Sequence, residues 1–146
     1  MRGAAARNLG VQLSPAGPAP QWAVKCSKTE LHKYGKTKGT CKPDPKAYAA
    51  FVKAIGTRYS GHYQDEDGSG VLPRVTAWSI WNEPNLPSWL SPAIEKKGRS
   101  RTDVGGMVYR NLAYAVAPIR QFRSRCEQPT GSHKYVGVIA CPPTVA

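Results

Sequence analysis

Apolar positions along this chain change their spacing several times, and each change marks an element. Residues 2–9 read as the tail of a helix closing at Gly10, a residue type suited to the left-handed turn after a helix. Val11 and Leu13 then alternate within a short strand, residues 11–14. Residues 15–44 are rich in proline, glycine and lysine without any period, so they read as a long connection. Asp44 is placed as a helix N-cap with Pro45 at the first helical position. Tyr48, Phe51, Val52, Ile55 and Tyr59 follow at helical spacing, which predicts an inward-facing stripe, and Gly61 ends the helix. Residues 65–70 are a polar turn. Its acids resemble a calcium loop but lack the bidentate Glu at EF-hand spacing, so it reads as a solvated loop.

The next apolar run, residues 75–80, leads into Trp81-Asn82-Glu83-Pro84-Asn85. Pro84 has no backbone N–H and biases Glu83 toward an extended conformation, which predicts a strand stopped at its C-terminal end. A carboxyl at that position, among the indoles of Trp78, Trp81 and Trp89, is placed for acid chemistry. A second proline-containing connection runs over residues 84–101. Thr102 or Asp103 then caps a helix that carries Val104, Met107, Val108, Leu112, Ala115, Val116, Ile119 and Phe122 on one face. Pro118 kinks or splits it, and Arg120, Arg123 and Arg125 complement the dipole near its end. Residues 135–140 are apolar on both faces, as in a buried parallel strand. Strand–helix alternation of this kind predicts an α/β fold with right-handed crossovers and a parallel sheet.

The stretch LPRVTAWSIWNEPNLPSWLSP, residues 72–92, resembles the fourth-strand region of clan A glycoside hydrolases, with family 39 and cellulase-like family 5 nearest. Residues 10–23 are similar to the third strand and its exit loop of those enzymes, and residues 44–61 to the helix that follows. The resemblance implies a partial (β/α)8 TIM barrel, from the end of the second helix to the fifth strand. One incomplete catalytic domain then occupies residues 1–146, with substrate-side loops at about 15–44 and 84–101. It implies that Glu83 is the general acid/base and that Asn82 contacts the sugar 2-hydroxyl. Trp22, Trp81 and Trp89 become candidate substrate-binding residues, although Trp22 and Trp89 fit loop anchoring equally well. The implied chemistry is a retaining double displacement on a β-linked glycoside or polysaccharide, without cofactor, by two carboxyls about 5–5.5 Å apart.

Length changes that picture. A complete barrel takes about 250 residues and about 200 at the low end, whereas this chain has 146. The family's nucleophile is a Glu ending the seventh strand, beyond the fifth strand with which this sequence closes. Glu30, Asp44, Glu95 and Glu127 lack a strand-end position and an aromatic frame, so none is a natural substitute. The sequence therefore predicts a glycosidase segment carrying the acid/base without its partner. The alternative is an inactive truncated remnant or a carbohydrate-binding pseudoenzyme. Open apolar sheet edges add an expectation of self-association.

Charge and cysteines refine the class. The formal net charge is +12, yet lysines gather in residues 25–46 while arginines scatter through the last third, so a dedicated nucleic-acid stripe is the third reading. Cys26 and Cys41 lie in one loop and are a disulfide candidate in an exported protein. Cys126 and Cys141 fall at opposite ends of the predicted strand 135–140, about 20 Å apart, against the ~7 Å that a disulfide tolerates. No cysteine pair or histidine has metal-ligand spacing, and no apolar run has membrane-spanning length. The enzymes it resembles are usually exported; Met1 to Arg7 carries charge without a hydrophobic core behind it, so the expectation is a lost leader.

Overall fold

The computed structural model describes residues 1–34 and 39–119. Four helices and two small sheets make up the described residues: α1 (Arg2–Ala5), β1 (Gln12–Leu13), α2 (Lys28–Tyr34), α3 (Pro45–Arg58), β2 (Ala77–Trp78), β3 (Ile94–Lys97), β4 (Ser100–Asp103) and α4 (Val104–Val116). A 3₁₀ turn covers Gln21–Ala23. β1 and β2 pair in parallel, Gln12 with Ala77 and Leu13 with Trp78, while β3 and β4 form an antiparallel hairpin.

This arrangement overturns the expected partial TIM barrel. The described residues hold one parallel pair of two-residue strands and a separate hairpin, not a run of parallel strands with crossover helices. The physical reason lies at both ends of the short ladder. Beyond Leu13 the chain meets Pro15, Pro18 and Pro20, none of which has an N–H to donate. Beyond Trp78 only the Ser79 N–H to Leu13 O (3.0 Å) and the Trp81 N–H to Pro15 O (3.2 Å) continue the pairing before the backbone turns away. The predicted fifth strand at residues 135–140 and the Cys126–Cys141 question lie outside the described residues, as do Phe122, Glu127 and the arginines at 120, 123 and 125.

The core joins three segments. Tyr48 and Val52 come from α3, Leu112, Ala113 and Val116 from α4, and Val75, Trp78, Ile80 and Trp81 from the segment around β2, with Leu90 inserted from the following loop. α3 forms where expected: the Asp44 side chain accepts from Lys46 N–H at 2.7 Å, Pro45 occupies the first turn, and alanines fill positions 47, 49, 50 and 54. Phe51, predicted inward, is 49% exposed. It sits about 60° round the helix from Tyr48, at the edge of the stripe that Tyr48, Val52, Ile55 and Tyr59 define. In α4 the buried residues are Val104, Gly105, Leu112, Ala113 and Val116, and Met107 is exposed. Met107 lies about 140° from Leu112 round the helix, so it belonged to the outer face. Asp103 caps α4 by accepting from Gly106 N–H at 2.9 Å. The helix closes at Val116, since Pro118 has no N–H for the next turn.

The first helix also ends differently from expectation. Asn8, not Gly10, takes the left-handed conformation (φ 54), with Asn8 N–H bonding Ala5 O and Leu9 N–H bonding Ala4 O. These two bonds are the Schellman closure, which asparagine supports almost as readily as glycine.

The two long connections are partly built. Residues 27–34 contain a capping box: the Ser27 hydroxyl accepts from Glu30 N–H while the Glu30 carboxylate accepts from Ser27 N–H at 2.7 Å. Residues 94–103, expected as loop, are the β3–β4 hairpin turning at Gly98. Cys26 and Cys41 are joined by a disulfide with Cα atoms 5.8 Å apart. From Cys41 the pairing passes to the other connection: Lys42 N–H bonds Ser91 O at 2.8 Å and Ser91 N–H bonds Thr40 O at 2.9 Å. Gly39 permits the inner approach, since a Cβ there would stand 2.6 Å from Pro18 Cβ and 2.7 Å from Ala19 O. Lys42 completes the clamp, with Nζ 2.7 Å from both Glu30 Oε1 and Glu95 Oε1.

Two expectations follow from this clamp. Closing a loop of this size by a disulfide stabilises by about 3 kcal/mol, so Cys26→Ser with Cys41→Ser lowers stability by that order in a urea titration. The Lys42 ammonium, together with the Ser27 amide and hydroxyl, holds the Glu30 carboxyl down at about 2, against 4.5 unperturbed. A depressed carboxyl contributes stability above its unfolded value and loses it as pH falls. Stability should therefore decline from about pH 4.5 toward about pH 2. Glu66, held down by Arg58, declines in the same window. Comparison of urea midpoints with Glu30→Gln isolates the share of the clamp: an unchanged pH profile in that variant refutes the assignment.

Candidate functional site

Where β2 leaves the ladder the backbone is twisted twice. Trp81 has φ 60 and Glu83 has φ 40, both in the left-handed region, with Asn82 between them. For a side chain with a Cβ each such residue costs on the order of 1–3 kcal/mol and persists only where surroundings over-determine it. The surroundings are identifiable. Tyr48, in the first turn of α3, donates its hydroxyl to Pro15 O at 2.8 Å and accepts from Trp81 N–H at 3.1 Å. Its ring meets the Trp81 indole edge-on, with centroids 5.4 Å apart and planes at 69°. The indole N–H of Trp81 bonds Trp89 O at 2.9 Å. On its other side the indole lies against Gly17, where an added Cβ would come within 3.1 Å of Cη2 and Cζ2. Burial pushes the Tyr48 phenol well above its ordinary value, so it remains a neutral donor.

Glu83 then begins a turn, its carbonyl accepting from Leu86 N–H at 2.9 Å. Leu86 O in turn accepts from Trp89 N–H and Leu90 N–H, and the fully buried Leu90 anchors the loop. The result is an exposed carboxylate on a turn anchored by these backbone bonds. Glu83 is exposed and Asn82 half-buried, with Asn82 Nδ2 donating to Glu83 Oε2 at 3.5 Å, the long limit of such a bond.

The structure separates the tryptophans that the sequence grouped. Trp78 and Trp81 are core residues, 3% and 4% exposed, so they do not supply the indole enclosure expected for Glu83. Trp89 is half-buried, and its carbonyl braces Trp81. Trp22 stands 79% exposed on the 3₁₀ turn. Cys26 and Cys41 act on the neighbouring connection through their disulfide. Of the other carboxylates considered from sequence, Glu127 lies outside the described residues and three are engaged: Glu30 and Glu95 with Lys42, and Asp44 with the α3 cap and Lys25. Among the described residues no group of three or more His, Cys, Asp or Glu is arranged to hold a metal, and no helix is long and apolar enough to cross a membrane.

Three residues had no signal in the sequence reading: the Tyr48 hydroxyl, Thr40 and Ser91. Thr40 and Ser91 are buried, 4% and 2% exposed, and their hydroxyls lie 3.3 Å apart. Tyr48 was read only as part of an apolar stripe. A buried tyrosine needs a partner for its hydroxyl, and that general rule was the available clue.

No protein-family model, no curated protein and no solved structure matches this chain. None of these comparisons supports the likeness of residues 72–92 to clan A glycosidases.

Tyr48→Phe tests what holds the site. It removes one acceptor from Trp81 N–H and one donor from Pro15 O while keeping the ring contact, so about 1 kcal/mol of stability is lost. The Trp81 and Asn82 amide resonances should shift in a ¹H–¹⁵N spectrum, and unmoved resonances would refute the bracing role.

Proposed function

We propose that Asn82 and Glu83 form the acid/base half of a glycoside-binding site, with Glu83 donating a proton to the glycosidic oxygen and Asn82 bonding the sugar 2-hydroxyl. The observation that carries this reading is the pair of left-handed residues, Trp81 and Glu83, bracketing Asn82 just beyond a parallel strand. Backbone strain at Trp81, where Tyr48 and Gly17 over-determine it, and at Glu83 flanks Asn82 on both sides, and such strain clusters at functional positions. Glu83 is left-handed, not extended as Pro84 predicts, and its side chain is exposed to an incoming ligand. The resemblance of the Asn-Glu-Pro segment to clan A enzymes supports the same roles.

Hydrolysis with retention requires a second carboxyl about 5–5.5 Å from the first. Glu30, Asp44 and Glu95 are committed to Lys42, Lys25 and the α3 cap, so the described residues favour binding and proton donation over complete turnover. That commitment favours a second reading, a carbohydrate-binding chain without hydrolysis, in which the exposed Trp22 offers a stacking face.

Aryl β-glycosides distinguish the two. On the first reading, turnover is measurable and Glu83→Gln abolishes it. On the second, glycoside binding is seen in tryptophan fluorescence without product. On both, Asn82→Ala weakens binding roughly tenfold, the value of one hydrogen bond to a ligand hydroxyl. Binding indifferent to Asn82→Ala together with turnover indifferent to Glu83→Gln would sink the proposal.

A further inference from the structure

The β3–β4 hairpin carries four cations in six residues, Lys96, Lys97, Arg99 and Arg101, and both of its strands are fully exposed. Lys96 and Arg101 are direct cross-strand partners. Like charges in that position repel at close range and destabilise the pairing. The two acids of the hairpin do nothing to relieve this: Glu95 is bound to Lys42, and Asp103 caps α4. Among the described residues none of the four cations pairs with a carboxylate. At the base of the hairpin an open groove is lined by Glu30, Lys33, Ile94, Glu95 and Lys96, and Ile94 is 47% exposed.

We propose that this hairpin is a binding surface for anionic polysaccharide, which makes a uronate- or sulfate-bearing glycan the substrate class of the Asn82–Glu83 site that precedes it in the chain. The proposal rests on the glycoside reading above for that last step, while the anion-binding surface stands on its own charge. Lys96 and Arg101 share one face of the hairpin, Lys97 lies on the other and Arg99 in the turn, so uncompensated cations surround the hairpin tip and raise the local concentration of a polyanion. A nucleic acid is the other polyanion, but residues 94–103 include no aromatic side chain on which a base would stack. A glycan needs none of these stacks for its acid groups, and the apolar Ile94 edge of the groove suits a sugar ring's C–H face.

The test uses the full chain with an oligogalacturonate, a neutral oligosaccharide of equal length and a single-stranded oligonucleotide. Each is titrated at low and at physiological salt. Replacement of all four cations, Lys96→Gln, Lys97→Gln, Arg99→Gln and Arg101→Gln, should weaken oligogalacturonate binding roughly tenfold or more and flatten its salt dependence. The same substitutions relieve the Lys96–Arg101 repulsion, so thermal stability should hold or rise. A charge-matched control, Lys25→Gln, Lys28→Gln, Lys53→Gln and Arg110→Gln, should leave binding within about twofold. Equal losses in the two variants would show attraction by net charge alone and overturn the proposal. Tighter binding of the oligonucleotide than of the oligogalacturonate would overturn it in favour of a nucleic-acid surface, and no binding at low salt would overturn it outright. Hairpin-dependent oligogalacturonate binding that is insensitive to Asn82→Ala and Glu83→Gln would leave the surface standing and reject the glycoside site.

Discussion

The buried hydroxyl of Tyr48 is the junction on which this structure depends. It spans two main chains at once, giving its proton to the carbonyl of Pro15 and receiving that of Trp81. Pro15 closes β1, Trp81 follows β2, and Tyr48 belongs to α3, so a single oxygen ties the exits of both parallel strands to the helix between them in sequence. Trp81 N–H and Pro15 O also bond each other at 3.2 Å, so the hydroxyl adds a second partner to each, worth about 1 kcal/mol in all. The ladder itself is only two residues long and would be marginal by itself. The hydroxyl therefore does for the strand ends what additional rungs do in a longer sheet.

A second framework surrounds that junction. The disulfide fixes Cys41, the backbone of Cys41 and Lys42 pairs along Ser91, and the Lys42 ammonium draws Glu30 and Glu95 together. Lys42 is itself left-handed at φ 45, so the chain accepts a strained residue where the side chain must reach two acids. Loops of this length with no regular structure are uncommon in a folded domain. Here each is partly converted into structure, one by α2 and its capping box, the other by the hairpin.

What the sequence made legible follows from how local each signal is. Asp44-Pro45 and Asp103 announce helix starts through contacts within three residues: the Asp44 cap is made as expected, and of Thr102 and Asp103 it is Asp103 that caps α4. The disposition of Phe51 and Met107 was misread because helical spacing defines a stripe but not its edges, which depend on what packs against it. The barrel was inferred from a motif and an element order. The strand lengths were instead limited by prolines on one side and a backbone turn at Trp81 on the other, a tertiary fact held by Tyr48 and Gly17. The same holds for the candidate site: Asn82 and Glu83 stand out by residue type, while the left-handed backbone at Trp81 and Glu83 has no signature in residue order.

Glu83 has a consequence for how this chain tolerates change. At φ 40 a glycine would sit without steric penalty, so replacing the glutamate there would relax the backbone while deleting the carboxylate. Selection for folding alone pushes this position toward the simplest residue. Selection for whatever the carboxylate does pushes the other way. On the proposed glycoside reading, stability and activity are opposed at one Cβ, and among randomly mutated copies sorted only for thermal resistance, this residue should be an early casualty.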